Sequence, residues 1–496
     1  MLHSNFRRVM AILLCLLMMS SALIACAKDS GQPSATTPAA VTTAVPDETE
    51  PAETKLTSSV TPIDMGNNEL SIITRAPYAY MYPYHEILAE ETTGDLLNDA
   101  IRKRNMIIED RYNCTLVVHA TDKDDIVNMV NQEVLSNNGE FDIIVSSVKH
   151  NVTWAQQQYL VEMHEYDDIV QFEQPWWMGH IMDATSLSGK NFFCPSDVNI
   201  AAFHAIGITY FNKKVAEENK IENLYDLVRE GKWTFDKMNT LCTDIYSDLN
   251  GSQSIDAEDA FGMALNSYSW QPLFYGGGGL MIVKNADDVP ELVSTKESTI
   301  NYLEKLVNFA NASGYVFNAN HYGYGGTQLA EKFRDGQSLF YIEASYSLPN
   351  LRNMEVDFGV LPMPKASEAQ EDYISSIHID HSSAMSVPVS NFDFELTASL
   401  LEDMAFYSYH NIRPVFIEQM IKTRDSRDAD SGEMFDYIYE HVVLDLALVF
   451  SNKIGIDGDV RDCFNNGGQI ASTMAMNFNV YSKLLERSVK AMLEGS

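Results

Sequence analysis

Between residues 69 and 145 the hydrophobic period changes back and forth, and this constrains the fold more than any other feature of the chain. Residues 69–74 alternate polar and apolar like a strand. Leu96–Tyr112 carries Leu97, Ile101 and Ile108 on one helical face and Arg102, Lys103 and Glu109 on the other. Residues 116–119 are strand-like, 126–135 helical, and 141–145 (Phe-Asp-Ile-Ile-Val) form a compact apolar strand. Strand, helix, strand, helix, strand is the alternation of a parallel sheet with covering helices. The alternation resumes further on, with strands at 206–211, Ala260–Leu265, 338–342 and 357–361. Helices are expected at 213–218, 234–246, 299–313, 328–335, 396–409 and 435–450. The stretch from Asn68 to Ser496 is too long for one ordinary core, so two α/β lobes are expected.

The sixty residues before this unit are of a different kind. Arg7 and Arg8 precede an apolar run from Val9 to Met19, followed by Ser20, Ser21 and Ala22. A spanning helix needs about 20 apolar residues. A charged start, a short apolar stretch and small residues make a signal peptide, residues 1–25. Leu23-Ile24-Ala25-Cys26 resembles a bacterial lipobox, which makes Cys26 the lipid acceptor. Two or three acyl chains, at about 0.8 kcal/mol per buried methylene, anchor a domain stably. Residues 26–67 are then expected as a disordered tether, dominated by Ala, Thr, Pro and Ser over 27–62. As a flexible coil it spans about 30–40 Å, and in polyproline form about 110 Å.

Charge narrows the partners. The chain holds 34 basic and 69 acidic residues, a net charge of −35. Such a surface repels nucleic acid and anionic headgroups, so no nucleic-acid partner is expected. It also disfavours an anionic cargo unless a local basic pocket overrides the average. Beyond the signal, Cys114, Cys194, Cys242 and Cys463 form no C-x-x-C pair and read as buried small hydrophobes.

Three groups of residues then carry a resemblance. They are Gly94-Asp-Leu-Leu-Asn-Asp-Ala-Ile-Arg-Lys-Arg104 with Glu109-Asp-Arg-Tyr-Asn113; Tyr210-Phe-Asn-Lys-Lys214 with the run from Asn223 to Gly231-Lys-Trp-Thr234; and Phe333 to Ile342, Tyr346 and Asp357-Phe-Gly-Val-Leu-Pro-Met-Pro-Lys365. In order and spacing they resemble the carbohydrate-type extracellular solute-binding lipoproteins of ABC importers, of which maltose-binding protein is the best-known member. The resemblance implies a two-lobe, periplasmic-binding-protein-like fold of type II. Its ligand cleft lies between lobes that close by hinge motion. It implies no catalysis, no required cofactor, a monomer, and an extracytoplasmic, membrane-anchored place beside an ABC permease. The expected first lobe comprises about 68–175 and 343–390, the second about 176–342 and 391–496.

Sugar capture needs aromatic faces for pyranose CH groups and planar donors and acceptors for hydroxyls. After the strand at 141–145, Ser147, Lys149 and His150 sit where open α/β sheets bind ligands; an ordinary polar turn is the alternative. After Ala260–Leu265, Trp270 is the first candidate stacking residue, with Gln271 beside it; the resemblance implies that this segment lines the cleft. The resemblance also implies an aromatic stacker at Tyr346, next to Glu343, which alternatively caps a helix. Of Trp176 and Trp177, Trp177 is favoured, because extended neighbours face opposite ways. Trp154 is a weaker candidate, and Trp233 reads as packing.

Asp248, Asn250, Ser252, Ser254, Asp256 and Asp259 stand at positions 1, 3, 5, 7, 9 and 12 of a calcium-type loop. Ser254 would offer its carbonyl, and a structural Ca2+ is the corresponding expectation. Gln253 replaces the glycine at position 6, and Asp259 is shorter than the usual glutamate; an acidic loop joining helix to strand is the alternative. His378, Asp380 and His381 lack a fourth metal ligand and read as a surface loop or hinge. The elbow, zincin, Walker and dinucleotide motifs are absent. A surface lipoprotein that hydrolyses glycans and a sensory co-receptor for a membrane kinase are the competing functional readings.

Overall fold

The computed structural model describes residues 57–78, 81, 83–352 and 354–495. The signal peptide, Cys26 and nearly all of the tether lie outside the described residues. Residues 58–496 form one compact unit built on two sheets.

The first sheet is made by β1 (Glu69–Arg75), β2 (Thr115–Thr121), β3 (Ile143–Ser147) and a late strand, in the order late strand, β3, β1, β2. β1 pairs in parallel with both β2 and β3. Helices α1 (Leu96–Tyr112), α2 (Asp125–Ser136) and α3 (Val148–Gln156) make the connections. The Asp95 carboxylate caps α1 by accepting from the Leu97 and Asn98 amides. Leu97, Ile101 and Ile108 are buried as their spacing requires. All five residues of β3 are buried, as in a parallel strand covered on both faces.

The second sheet contains β4 (Gly207–Asn212), β5 (Tyr246–Ser247), β6 (Ala260–Leu265), β7 (Val316–Asn318), β8 (Ser338–Ala344) and β9 (Phe358–Leu361). Its order is β9-β4-β8-β6-β5, with β7 also on β6. β8 runs parallel to β6 and antiparallel to β4. The late strand of the first sheet is β10 (Ser383–Ser386), antiparallel to β3. Trp233 is buried, with its indole N–H on the Pro362 carbonyl at 2.9 Å. The four cysteines among the described residues, Cys114, Cys194, Cys242 and Cys463, are free and buried. Among the described residues no helix is long and apolar enough to cross a membrane.

The lobe boundaries differ from the sequence expectation. β9 pairs with β4, so the chain from 343 to 361 belongs to the second sheet, and only at β10 does it return to the first. Cys194 bridges to Met385, so residues 176–196 stay with the first lobe. The long helix Phe394–Asn411 packs on α1, not on the second lobe. The folded part also begins before residue 68: the Met65 and Asn67 amides donate to the Tyr112 and Asn113 carbonyls, and Arg111 donates to the Val60 carbonyl. The helix expected over 435–450 is divided into Ala429–Glu440, a two-residue strand and Leu446–Val449.

Three segments therefore cross between the lobes, at about 197–206, 362–382 and 412–428. The first two run side by side, joined by the Ile206–Ile377 bridge and by the His378 amide on the Ala205 carbonyl. Buried Glu86 of the first lobe ties the first crossing to the start of β10, accepting at Oε1 from the Ala201 amide at 3.0 Å and the Ser383 hydroxyl at 2.7 Å.

Asp197, at the start of the first crossing, gives a pH prediction. Burial pushes its carboxyl up to about 7, although Arg413, 3.1 Å away, pulls it down. The folded-state value lies above the unfolded value, so the folded state binds the proton more tightly. That contribution to stability is complete below about pH 4 and is lost as pH rises through 7. Asp197→Asn, which cannot ionise, is expected to gain on the order of 2 kcal/mol over the wild type between pH 4.5 and pH 8. Urea unfolding at the two pH values measures the difference. Parallel pH profiles for the two proteins would contradict it.

Candidate binding cleft

The C-terminal ends of β1 and β3 in the first lobe and of β6 and β8 in the second all deliver residues to one cleft beside the crossing segments, where open α/β sheets bind ligands. Three adjoining recesses share residues. A cavity of about 400 Å³ is lined by Arg75, Tyr78, Lys123, Ser147, Lys149 and His150 from the first lobe, with Asp380 and His381 from the crossing. Lys149 and Asp380 also line a second recess of about 150 Å³, together with Tyr268, Gln271, Asp457 and Arg461. Tyr268, Gln271 and His378 continue into a third recess, floored by Asn266 and Glu343. The largest part alone falls in the roughly 300–1,000 Å³ range of small-molecule sites.

Ion pairs and hydrogen bonds hold the polar groups in place. Lys149 Nζ is 2.8 Å from Asp380 Oδ1, and Arg75 Nη1 donates to the Asp380 carbonyl at 2.6 Å. Burial alone would raise the Asp380 carboxyl; the hydrogen bond and charge of Lys149, with His378 and His381, hold it below its ordinary value. His150 shares a 2.9 Å hydrogen bond with Ser146 Oγ. Burial, then the Arg75 charge, brings His150 down to about 4. Burial and its stacked neighbour His378 bring His381 down to about 3. Both rings are neutral at pH 7, each with one donor and one acceptor nitrogen.

In the second lobe the Glu343 carboxylate accepts from the Tyr346 hydroxyl at 2.8 Å, the Asn266 amide at 3.0 Å and the Ala344 amide at 3.0 Å. Burial still raises its carboxyl above the ordinary range. Gln271 Nε2 donates to Asp457 Oδ1 at 2.6 Å. Tyr268 is 47 % exposed, with the Arg461 guanidinium 5.3 Å from its ring centre and His378 edge-on. Tyr78, 49 % exposed, stands on the opposite wall.

Of the residues singled out from sequence, Ser147, Lys149, His150, Gln271 and Glu343 come together here. Ser147 caps α3 by accepting from the His150 amide. Tyr346 lies behind the wall, its hydroxyl on Glu343 and its ring edge against His381. Four tryptophans do not reach the cleft. Trp270 is 1 % exposed and packs on Phe274 and Tyr275, because it opens a helix whose i, i+4 face points into the core. Trp177 and Trp176 donate their indole N–H groups to the two oxygens of Glu402, at 3.0 and 2.9 Å. Trp154 is fully buried. Sequence reasoning passed over Arg75, Tyr78, Lys123, Tyr268, Asp457 and Arg461. The strand-end rule that found residues 147–150 also points to Arg75 and Tyr78 after β1, and to Lys123 after β2.

The loop from Asp248 to Asp259 lies between β5 and β6, outside the cleft lining. Asp248 accepts from the Gly251, Ser252 and Gln253 amides. Asn250 and Ser252 donate to Asp256, and Ser252 also donates to the Ser254 carbonyl. Buried Asp259 accepts from the Tyr246 hydroxyl and the Leu249 and Asp256 amides. Gln253 makes the sharp turn at φ 61° in place of glycine. The oxygens spaced for a cation thus serve one another and the backbone. Among the described residues no group of three or more His, Cys, Asp or Glu side chains converges as a metal site.

Residues 92–389 match the model of the bacterial extracellular solute-binding protein family. The chain belongs to that family. The match runs from just before α1, through both sheets, to the strand that returns to the first lobe. No curated protein sequence matches the chain. Among solved structures, the extracellular solute-binding protein of Staphylococcus aureus in complex with maltose is similar, with a TM-score of 0.57 and 11 % identity over 84 % of this chain and 98 % of that one. An ABC substrate-binding protein of Listeria monocytogenes in complex with cycloalternan gives a TM-score of 0.55 at 12 % identity, over 85 % and 98 %. The maltose-binding protein of the same organism, with maltose, gives 0.55 at 12 %, over 84 % and 97 %. At such identities the likeness is one of fold: two α/β lobes of the maltose-binding-protein type around a cleft. The family is one of binding proteins, not enzymes.

Proposed function

We propose that the protein captures a sugar or oligosaccharide in this cleft and passes it unaltered, as a monomer, to the permease of an ABC importer. The observation that carries this reading is the pairing of half-exposed aromatic faces, Tyr268 and Tyr78, with a dense, pre-positioned set of hydrogen-bonding groups in one cleft between two lobes. Pyranose CH faces stack on such rings while hydroxyls meet Lys149, Asp380, Gln271 and the neutral histidines. The sugars named for similarly folded proteins agree with it. The lipobox implies that a lipid on Cys26 keeps the protein beside its permease; loss of labelled fatty acid from Cys26→Ser, but not from the wild type, tests that part.

Calorimetry with a panel of glycans tests capture. A one-to-one complex is expected, from which mass spectrometry recovers intact ligand. Cleaved glycan would favour the hydrolase reading, and signalling left intact by loss of the permease would favour the sensory one. Tyr268→Ala is expected to lose about 2 kcal/mol of binding, roughly 30-fold in Kd, by removing the stacking face. Its side chain is half exposed, so the same change is expected to alter folding by about 0.5 kcal/mol or less. Unchanged affinity in this variant would remove Tyr268 from the site.

A further inference from the structure

A further cavity lies where α3 of the first lobe meets two second-lobe helices, Ser451–Ile454 and the C-terminal Ile470–Glu494. It shares no lining residue with the three recesses of the cleft. Its volume is about 380 Å³, within the size range of small-molecule sites. Gln156 and Gln157, where α3 ends, form one wall, and Lys453, Arg487 and Ser488 the other. None of the lining residues is acidic, in a chain whose acidic residues outnumber the basic ones 69 to 34. We propose that this cavity binds a small phosphate monoester, held between the lobes at a site separate from the sugar cleft.

Buried donors point to a polar guest. Gln156 is 8 % exposed and Ser488 5 %, yet among the described residues neither side chain has a hydrogen-bond partner. Buried polar side chains are hydrogen-bonded in the great majority of cases. An amide and a hydroxyl that border a cavity instead can donate to a guest. The cations point to an anion. Among the described residues Lys453 and Arg487 make no ion pair. Nearby cations do: Arg461 meets Asp457 and Lys490 meets Glu494, each one helical turn away.

The helix ends at this place do not take up that charge. The carbonyls of Thr153, Trp154 and Ala155 accept from the Gln157, Gln158 and Tyr159 amides. Gln158 Nε2 donates to the Ala491 and Met492 carbonyls, at 3.0 and 2.7 Å, and so fastens the first lobe to the C-terminal helix beside the cavity. A phosphate monoester carries about −1.5 to −2 at pH 7, which matches one lysine and one arginine. The arginine fork can meet two of its oxygens and the lysine acts as a point charge. The volume leaves room beyond the phosphate group, and Leu484 and Ala491 give that part an apolar wall. Ser451 and Asn452 border the cleft, as does Lys149 at the other end of α3. The same two elements touch both sites, so a guest held here acts on how the lobes meet over the sugar.

Calorimetry with inorganic phosphate and glycerol 3-phosphate, against glycerol and succinate, tests the proposal. Both phosphates are expected to bind, the ester more tightly, with affinities that fall as salt rises. Lys453→Gln and Arg487→Gln, both at exposed positions, are each expected to weaken glycerol 3-phosphate about tenfold. Gln156→Leu, which fills the same space without the amide, is expected to act in the same direction. None of the three positions lines the cleft, so sugar binding measured without phosphate should persist in every variant. Phosphate binding that survives the Lys453/Arg487 double change would overturn the proposal. So would succinate that binds more tightly than either phosphate, or binding of neither phosphate; the sugar reading, measured with sugars alone, would stand in each case. Vesicles of phosphatidylcholine with phosphatidate separate two sources of the group. Retention on them, lost in the double variant, would assign it to a lipid headgroup, and binding of the soluble phosphates alone to a free ester. Saturating glycerol 3-phosphate is expected to change the Kd of the sugar about fivefold. An unchanged Kd would overturn the link between the two sites.

Discussion

At 1,000 times its dissociation constant, the cognate sugar is expected to raise the melting temperature of the protein by about 8–16 °C. A ligand that binds only the folded state adds about 4.1 kcal/mol at that excess. Lobes of this size shift by roughly 2–4 °C per kcal/mol. The effect is large because the site exists only when both lobes are folded: Arg75 and Lys149 come from one lobe, Tyr268 and Glu343 from the other. Differential scanning of the protein against mono- and oligosaccharides reads it directly. Silence across a broad glycan panel, with a clear shift for peptides or polyamines, would overturn the carbohydrate reading.

Glu86→Ala is expected to destabilise the fold by about 3–5 kcal/mol, more than any single change in the cleft lining. The substitution removes the acceptor shared by the Ala201 amide and the Ser383 hydroxyl, leaving two buried donors unsatisfied, one in the first crossing and one at the start of β10. It also removes the negative charge that supports Arg104. That guanidinium is fully buried, bonded to the Asn105 side chain, the Ser408 hydroxyl and the Glu86 carbonyl. Burial lowers Arg104 to about 9, and the Glu86 charge works against that shift. A buried charge deprived of its counter-charge accounts for the size of the loss. Urea unfolding of the variant measures it. A loss below about 1 kcal/mol would mean that Glu86 does not tie the first crossing to β10.

The alternation of strands and helices was legible in the sequence because its signal is local. Strands such as Ile143–Ser147 open on an apolar run, helices such as Leu96–Tyr112 carry a regular face, and Thr234 caps its helix by accepting from the Lys237 amide. The segment 147–150, the cap and first turn of α3, was legible because the end of a parallel strand has a fixed place relative to a cleft. The lobe boundaries were not, because strand-to-sheet assignment is a non-local pairing. Nothing in 357–361 says that it will lie beside 207–212 instead of 143–147. Trp270 misled because a large aromatic beside polar residues looks like a binding platform. The spacing of Trp270 and Phe274 on one helical turn was the local sign of a core position, and it left Tyr268, in the turn before the helix, as the exposed ring. Tyr78 escaped notice because among the described residues no helix follows β1 until Leu96, so the segment lacked the strand–helix junction that marks the segment after β3.

Small-angle scattering of the protein, with and without the sugar that gives the largest thermal shift, is the most direct test of the account. Two lobes joined by the crossings at 197–206, 362–382 and 412–428 should swing together on the guest. The radius of gyration should fall, and the guest should come back whole. Superimposable profiles at saturation, or a guest recovered in pieces, would contradict it.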